Sequence, residues 1–157
     1  MTTEIERKFL PLAAPAAELL GEGELLRQGY LAQEDTTSVR VRFAGRSALL
    51  AVKVGAGVSR TEVEVAITED EAAALWRHTV GRRIEKTRHR VPLDDGSGLV
   101  AEVDVYGGEL VGLCTVEVEF TTAAGAASFV PPLWFGRDVT DQPGWTNAEL
   151  ARRGRPD

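Results

Sequence analysis

Cysteine occurs once in the 157 residues, at Cys114, and histidine only at His78 and His89. No internal disulfide can form and no Cys/His grouping has zinc-site spacing, so the chain suits a reducing compartment and must be held together by its core. The two histidines do not form a pair, and His89, on the packed side of its segment, fits a structural or surface role better than a catalytic one. Cys114 lacks a basic sequence neighbour to activate it and reads as a small packing residue. No run of about twenty apolar residues is present to cross a membrane, and the charged run from Glu4 to Lys8 interrupts any signal peptide, so a cytoplasmic location without a membrane partner is expected. Basic residues are the minority, 18 against 24 acids, giving a net charge of -6. That balance disfavours nonspecific nucleic-acid binding, and an anionic ligand must be met by a local basic site.

What is present is alternation. The chain is long enough to bury a core as one domain over residues 1–157, with no linker dividing it and no internal repeat. Apolar and polar residues alternate with period two near residues 3–10, 25–33, 37–44, 47–54, 59–67, 84–91, 99–106 and 114–121, predicting eight mostly antiparallel strands. Gly55, Gly57, Asp94-Asp95-Gly96 and Gly107-Gly108 mark turns between them. A capping box at Thr68 to Glu71 opens a helix expected to run to about Val80, and Thr146 to Glu149 repeats the pattern before a short final helix. The Ala-rich segments 13–20 and 122–130 are weaker helical candidates. Trp76 fits the buried side of its helix, while Trp134 and Trp145 are expected to hold the C-terminal segment to the strands.

Successive side chains in a strand point to opposite faces, so each segment divides into two sets. One set is apolar: Ile5 and Phe9; Val39, Val41 and Phe43; Val63, Val65 and Ile67; Val103 and Val105; Val116, Val118 and Phe120. It is expected to pack against helices. The other set is charged, with Glu4, Glu6 and Lys8; Arg40 and Arg42; Lys53; Arg60, Glu62 and Glu64; Lys86, Arg88 and Arg90; Glu102 and Asp104; Glu117 and Glu119. An antiparallel sheet with one solvated side would account for the pattern alone. Two features favour a closed barrel instead: like charges are grouped by strand, and small polar residues are scarce among them. Across a barrel, acids and bases converge and bound ions offset the cost of enclosing them. Eight acids and eight bases would then face inward. Such a lumen is near neutral until about two divalent cations make it strongly cationic, so metal and polyanion should bind interdependently. Carboxylate ligands suit hard cations such as magnesium or manganese.

These residues resemble the CYTH superfamily of triphosphate tunnel metalloenzymes, most closely in the pattern of its small bacterial inorganic triphosphatases. Its signature Glu-x-Glu-x-Lys is matched by Glu4, Glu6 and Lys8. The match continues in order through QGYL at 28–31, VRVR at 39–42, the Lys53 strand, RTEVEV at 60–65, EKTRHR at 85–90, EVDVY at 102–106, VEVEF at 116–120 and FGRDVTDQPGWTNAELA at 135–151. Trp145 stands where relatives often have Tyr. The resemblance implies a mainly β, α+β fold: a closed eight-stranded antiparallel barrel, with a few helices outside, that binds a triphosphate and divalent metal. It implies that Glu4, Glu6 and Glu117 hold a metal on the triphosphate, and that Asp104 and Glu119, with Glu102, hold a second that activates water. Lys8, Arg40, Arg42, Lys53, Lys86 and Arg88 match positions that grip phosphate oxygens. Lys8 and Lys86 join Asp104 and Glu119 as catalytic candidates. Arg60 is a further phosphate-binding candidate, while Glu62, Glu64 and Arg90 could equally brace the others through ion pairs.

Phosphoryl transfer depends chiefly on positioning and charge stabilisation, which this set can supply without a histidine base. The expected reaction is hydrolysis of tripolyphosphate to pyrophosphate and phosphate, with Mg2+ or Mn2+. Adenylyl cyclase and thiamine triphosphatase activities, or noncatalytic binding of polyphosphate or nucleotide, are the alternatives. Nothing in the residues indicates an oligomeric state.

Overall fold

The computed structural model describes residues 2–156. Its principal strands are β1 (Thr2–Leu10), β2 (Gly23–Glu34), β3 (Thr37–Ala44), β4 (Ser47–Val54), β5 (Ser59–Ile67), β6 (Arg83–Pro92), β7 (Val100–Tyr106) and β8 (Cys114–Glu119). They run in the order β5-β4-β3-β2-β6-β7-β8-β1, and β1 returns to pair with β5, closing an antiparallel barrel. β1 achieves closure by changing partners along its length. Thr2 to Ile5 lie against β5, whereas Glu6 to Phe9 lie against β8. The ends of β3, β4 and β5 coincide with the alternation in the sequence, because a strand buried on one side leaves that pattern.

Two of the three apolar clusters lie outside the barrel wall, while the third, with Tyr30, Ile84 and Tyr106 on the inner face, meets the C-terminal segment at the cavity. Phe9, Val103, Val116 and Val118 project outward beneath Phe120, Ala126 and Phe135. Near α4 (Asn147–Arg153), Tyr30, Ile84, Tyr106 and Leu110 pack with Trp145 and Leu150, so Trp145 holds the C-terminal segment to the strands as expected. A third cluster joins Val41 and Ala48 to Ala72 of α2 (Glu69–Trp76), with Trp76 edge-on to Phe43 at 5.4 Å. Both anticipated capping boxes form, Thr68 with Glu71 and Thr146 with Glu149. Each satisfies backbone donors at a helix start.

Several details depart from the sequence reading. The helix opening at Thr68 ends at Trp76, and Arg77–Thr79 tighten into a 3-10 turn before Val80. That turn fits closely over β2 because Gly29 has no side chain; a Cβ there would stand 2.5 Å from Thr79 Oγ1. The 13–20 segment forms only the single helical turn α1 (Ala17–Leu20), since Pro15 disfavours helical geometry at the residue before it, and residues 122–130 contain α3 (Ala123–Ser128). Val63 and Val65 face outward but lie under no helix, with exposures of 40% and 53%. α2 covers β3 and β4 instead, so an apolar side of a strand does not by itself determine what covers it.

A short ninth strand, β9 (Arg137–Asp138), was absent from the sequence reading and adds to the barrel beside Phe9 and Leu10 of β1. Gly136 permits the approach: its φ is 71°, and a Cβ would collide with the Leu10 carbonyl at 2.1 Å. Arg7 then fastens the element from outside. Its Nε and Nη2 donate to Asp138 at 3.1 and 2.6 Å, while Nη1 donates to the Ala126 and Phe129 carbonyls at 3.1 and 2.9 Å. Removing this side chain leaves three acceptors without their donor. Arg7→Ala is therefore expected to lower unfolding free energy by about 2 kcal/mol in urea titrations, with a change below about 0.5 kcal/mol refuting the clasp.

Candidate active site

Every charge assigned to the inner face, with one exception, lines a single cavity of about 580 Å³. This is within the range of roughly 300–1,000 Å³ usual for small-molecule sites. The exception is Asp104, which has no exposed surface and lies behind the lining. The wall also includes Gln28 and Tyr30 of β2, together with Thr140 and Asn147 from the C-terminal segment. The alternation did not single out these neutral residues because their place depends on tertiary packing. QGYL and TNAEL contained the signal, in sequence runs shared with the family pattern.

The charges form two ion-pair networks. In the first, Lys53 Nζ donates to both Glu4 oxygens at 2.9 and 2.7 Å and lies 3.6 Å from Glu62. Arg60 reaches Glu4 at 3.6 Å and pairs directly with Glu6, while Arg40 donates to Glu62 at 3.2 Å and Arg42 to Glu64 at 3.0 Å. Cross-strand register explains the contacts: Glu4 faces Arg60, and Lys53 faces Glu62. The Nε–H groups of Arg40, Arg42 and Arg60 are nevertheless buried without an acceptor. These three guanidinium groups are under-paired by the protein itself.

In the second network, Asp104 accepts from Lys86 at 2.5 Å and from Arg88 at 2.7 Å on both oxygens. Arg88 also donates to Glu117 at 2.8 Å and pairs with Glu102, while Lys8 Nζ lies 3.1 Å from Glu117. Arg90 bridges Glu102 at 3.3 Å and Glu24 at 3.4 Å at the exposed end. Thus the structure places Asp104 and Glu117 as the anionic centres around which Lys8, Lys86 and Arg88 are arranged.

Burial would lower the Lys8 charge, but the carboxylates of Glu117 and Asp104 oppose this and keep the ammonium above its usual range. Lys86 responds differently: burial, reinforced by Arg88 and Lys8 and opposed by Asp104 and Glu117, brings it down to about 8. Burial would raise Asp104 and Glu117, yet both are held below the ordinary carboxylate range by surrounding cations.

Glu119 belongs to neither network. Among the described residues it is the inner acid with no cation within 4 Å. It lies directly across from Glu6 in the β1–β8 register and is exposed, and its pKa is raised by partial desolvation and by the fields of Glu4, Glu102 and Glu62. No three possible ligands stand together at metal-coordinating spacing among the described residues, because Glu4 and Glu6 are drawn to Lys53 and Arg60. The chemistry of Glu4, Glu6, Glu102 and Glu119 nevertheless fits a divalent cation: the donors are hard carboxylate oxygens and Glu119 carries unrelieved negative charge.

A closed antiparallel barrel with matched acids and bases on its inner wall defines a charged-tunnel fold. The chain belongs to the CYTH domain family, whose match covers residues 2–131. It is 43% identical over 150 residues to an inorganic triphosphatase of Nitrosomonas europaea, covering 95% of this chain and 97% of that protein. An inorganic triphosphatase of Acetivibrio thermocellus is 36% identical over 154 residues, covering 97% and 95% respectively. The barrel resembles the crystal structure of the inorganic triphosphatase NE1496 with a TM-score of 0.72 and 39% identity, covering 99% of both chains.

The raised pKa of Glu119 has a thermodynamic consequence. In the fold the protonated acid is favoured, so its stabilising contribution is complete below the unfolded pKa and is lost as pH rises through the folded value. Glu119→Gln should therefore raise Tm at neutral pH in EDTA, and the gain should vanish below about pH 4. Thermal scans at both pH values test this, and a lower Tm at neutral pH would contradict the repulsion inferred around Glu119.

Proposed function

We propose that residues 1–157 form a single triphosphate tunnel domain that hydrolyses inorganic tripolyphosphate to pyrophosphate and phosphate with Mg2+ or Mn2+. The observation carrying this reading is the enclosed wall of opposed charges in which Glu119 remains unpaired beside Glu6. The relatives that match nearly the full chain are named inorganic triphosphatases. A cytoplasmic location accords with the scarcity of cysteine. No helix of the described residues is long and apolar enough to cross a membrane.

Glu4, Glu6, Glu102 and Glu119 would supply the cation ligands. Asp104 and Glu117 instead orient the phosphate-gripping bases, since their oxygens accept from Lys8, Lys86 and Arg88. A bound cation would supply charge neutralisation at phosphate oxygens and lower the pKa of water. Arg40, Arg42 and Arg60 present forked donors to the phosphate chain, whereas Lys8, Lys53 and Lys86 act as compact charges. Together they hold the reacting phosphoryl group and stabilise its charge, the two demands that dominate phosphoryl transfer.

The aromatic residues of the lining argue for an inorganic substrate. They are Tyr30 and Trp145, both engaged in the apolar cluster beneath α4, so neither presents a free ring for stacking an adenine or thiamine group. Phosphate release should accordingly be fastest with tripolyphosphate, slower with ATP or thiamine triphosphate, and abolished by EDTA. Glu119→Gln should reduce turnover by about tenfold or more while leaving tripolyphosphate binding largely intact. Absence of tripolyphosphate hydrolysis with either metal would overturn the enzymatic reading, and unchanged turnover in the variant would remove Glu119 from the site.

A further inference from the structure

We propose that Asn147 is a positioning residue for Lys8, acting as a neutral acceptor that directs the ammonium without cancelling its charge. The inference rests on Lys8 contacting phosphate. Asn147 is unusual among the groups touching that ammonium because it comes from α4 rather than from a barrel strand. Its Oδ1 accepts from Lys8 Nζ at 3.3 Å and from the Tyr106 hydroxyl at 2.9 Å. An ammonium has donors only, so the amide atom facing it must be the oxygen.

The C-terminal segment also fixes the backbone from which Lys8 projects. The Lys8 amide donates to Thr140 Oγ1 at 3.0 Å, and the Val139 amide donates to the Lys8 carbonyl at 2.8 Å. Asn147 is itself held by neighbours that cannot shift independently. Thr146 and Glu149 cap its helix, while Ala148, Leu150 and Ala151 are buried in the cluster containing Tyr106. Tyr106 meets Thr115 Oγ1 at 3.4 Å, extending the support to β8. Lys8 is thereby registered at both its main chain and its ammonium by residues 139–147.

The choice of amide over carboxylate carries the functional content. Glu117 already stands 3.1 Å from Lys8 and supplies one full negative charge. A second carboxylate at position 147 would preserve both accepted hydrogen bonds but compete with phosphate for the same cation. Asparagine fixes direction while leaving the ammonium's remaining attraction available to an anion.

Asn147→Asp separates this role from a purely structural one, because it retains the acceptor shape and changes the charge. Tripolyphosphate binding by calorimetry in EDTA should weaken by about tenfold or more, with Tm near that of the unmodified protein. With metal present, KM should rise more than kcat falls. Asn147→Ala, which frees both the Tyr106 hydroxyl and Lys8, should lower kcat as well. Tripolyphosphate affinity and KM unchanged in Asn147→Asp would overturn the proposal, as would losses in both variants that merely follow a fall in Tm. If the unmodified protein binds tripolyphosphate but does not hydrolyse it, the enzymatic reading fails and the calorimetric ratio still decides the role of Asn147. If it neither binds nor hydrolyses tripolyphosphate, both readings fall.

Discussion

Charge enclosed by a barrel must be paired, and the rest of this structure follows from that constraint. A carboxylate or ammonium withdrawn from water costs several kcal/mol unless opposite charge and hydrogen bonds replace its hydration. The strand register meets this demand locally. Glu4 faces Arg60, Lys53 faces Glu62, and Arg88 faces Asp104. Because most of the inner wall is committed to charge, the larger part of the apolar core forms on the outer side, and only the cluster of Tyr30, Ile84 and Tyr106 under the C-terminal segment reaches the inner face. The barrel is therefore inverted relative to a small barrel filled by aliphatic side chains.

Pairing also separates two kinds of carboxylate that look alike in the sequence. Asp104 and Glu117 are surrounded by cations and held strongly ionised, so they serve as fixed points for Lys8, Lys86 and Arg88. Glu119 is left among acids, and its pKa is raised first by desolvation and then by the neighbouring charges of Glu4, Glu102 and Glu62. Between these extremes, Glu4 and Glu6 are satisfied by Lys53 and Arg60, bases whose remaining donors face the same cavity. Position along a strand shows that a carboxylate points inward; only the neighbouring strands determine whether it is a brace or an available ligand.

The strands and the inward charges were legible because a one-sided barrel wall repeats every two residues, and most of the strands repeat that pattern. The capping boxes were legible because their hydrogen bonds are local. By contrast, Arg7 lay on the face expected to be apolar, and its partners Asp138, Ala126 and Phe129 are distant in sequence. Asn147 had no alternating pattern to mark it, since its importance arises from α4 docking beside Tyr106. The exposure of Val63 and Val65 was illegible for the same reason: alternation assigns a face, while the placement of α2 assigns its cover. The alternation marked the inner charges, and the pairing divided that set by environment.

The proposed activity follows from how these networks can be rearranged. On this proposal Glu4 and Glu6 would, on ligating a divalent cation, release Lys53 and Arg60 from their carboxylate partners, leaving those donors for phosphate oxygens. Phosphate, by taking those donors, would in turn leave Glu4 and Glu6 better able to bind the cation. The coupling must be reciprocal because both ligands act on the same ion pairs. Lys8 lies outside this exchange: Glu117 and Asn147 hold it, and its charge persists whether or not Lys53 and Arg60 change partners. The proposed tunnel would thus combine a fixed phosphate anchor at its C-terminal-segment side with a rearrangeable set of acids and bases on β1, β4 and β5. The neutral amide matters because a fixed anchor has to remain cationic while the charges around it redistribute.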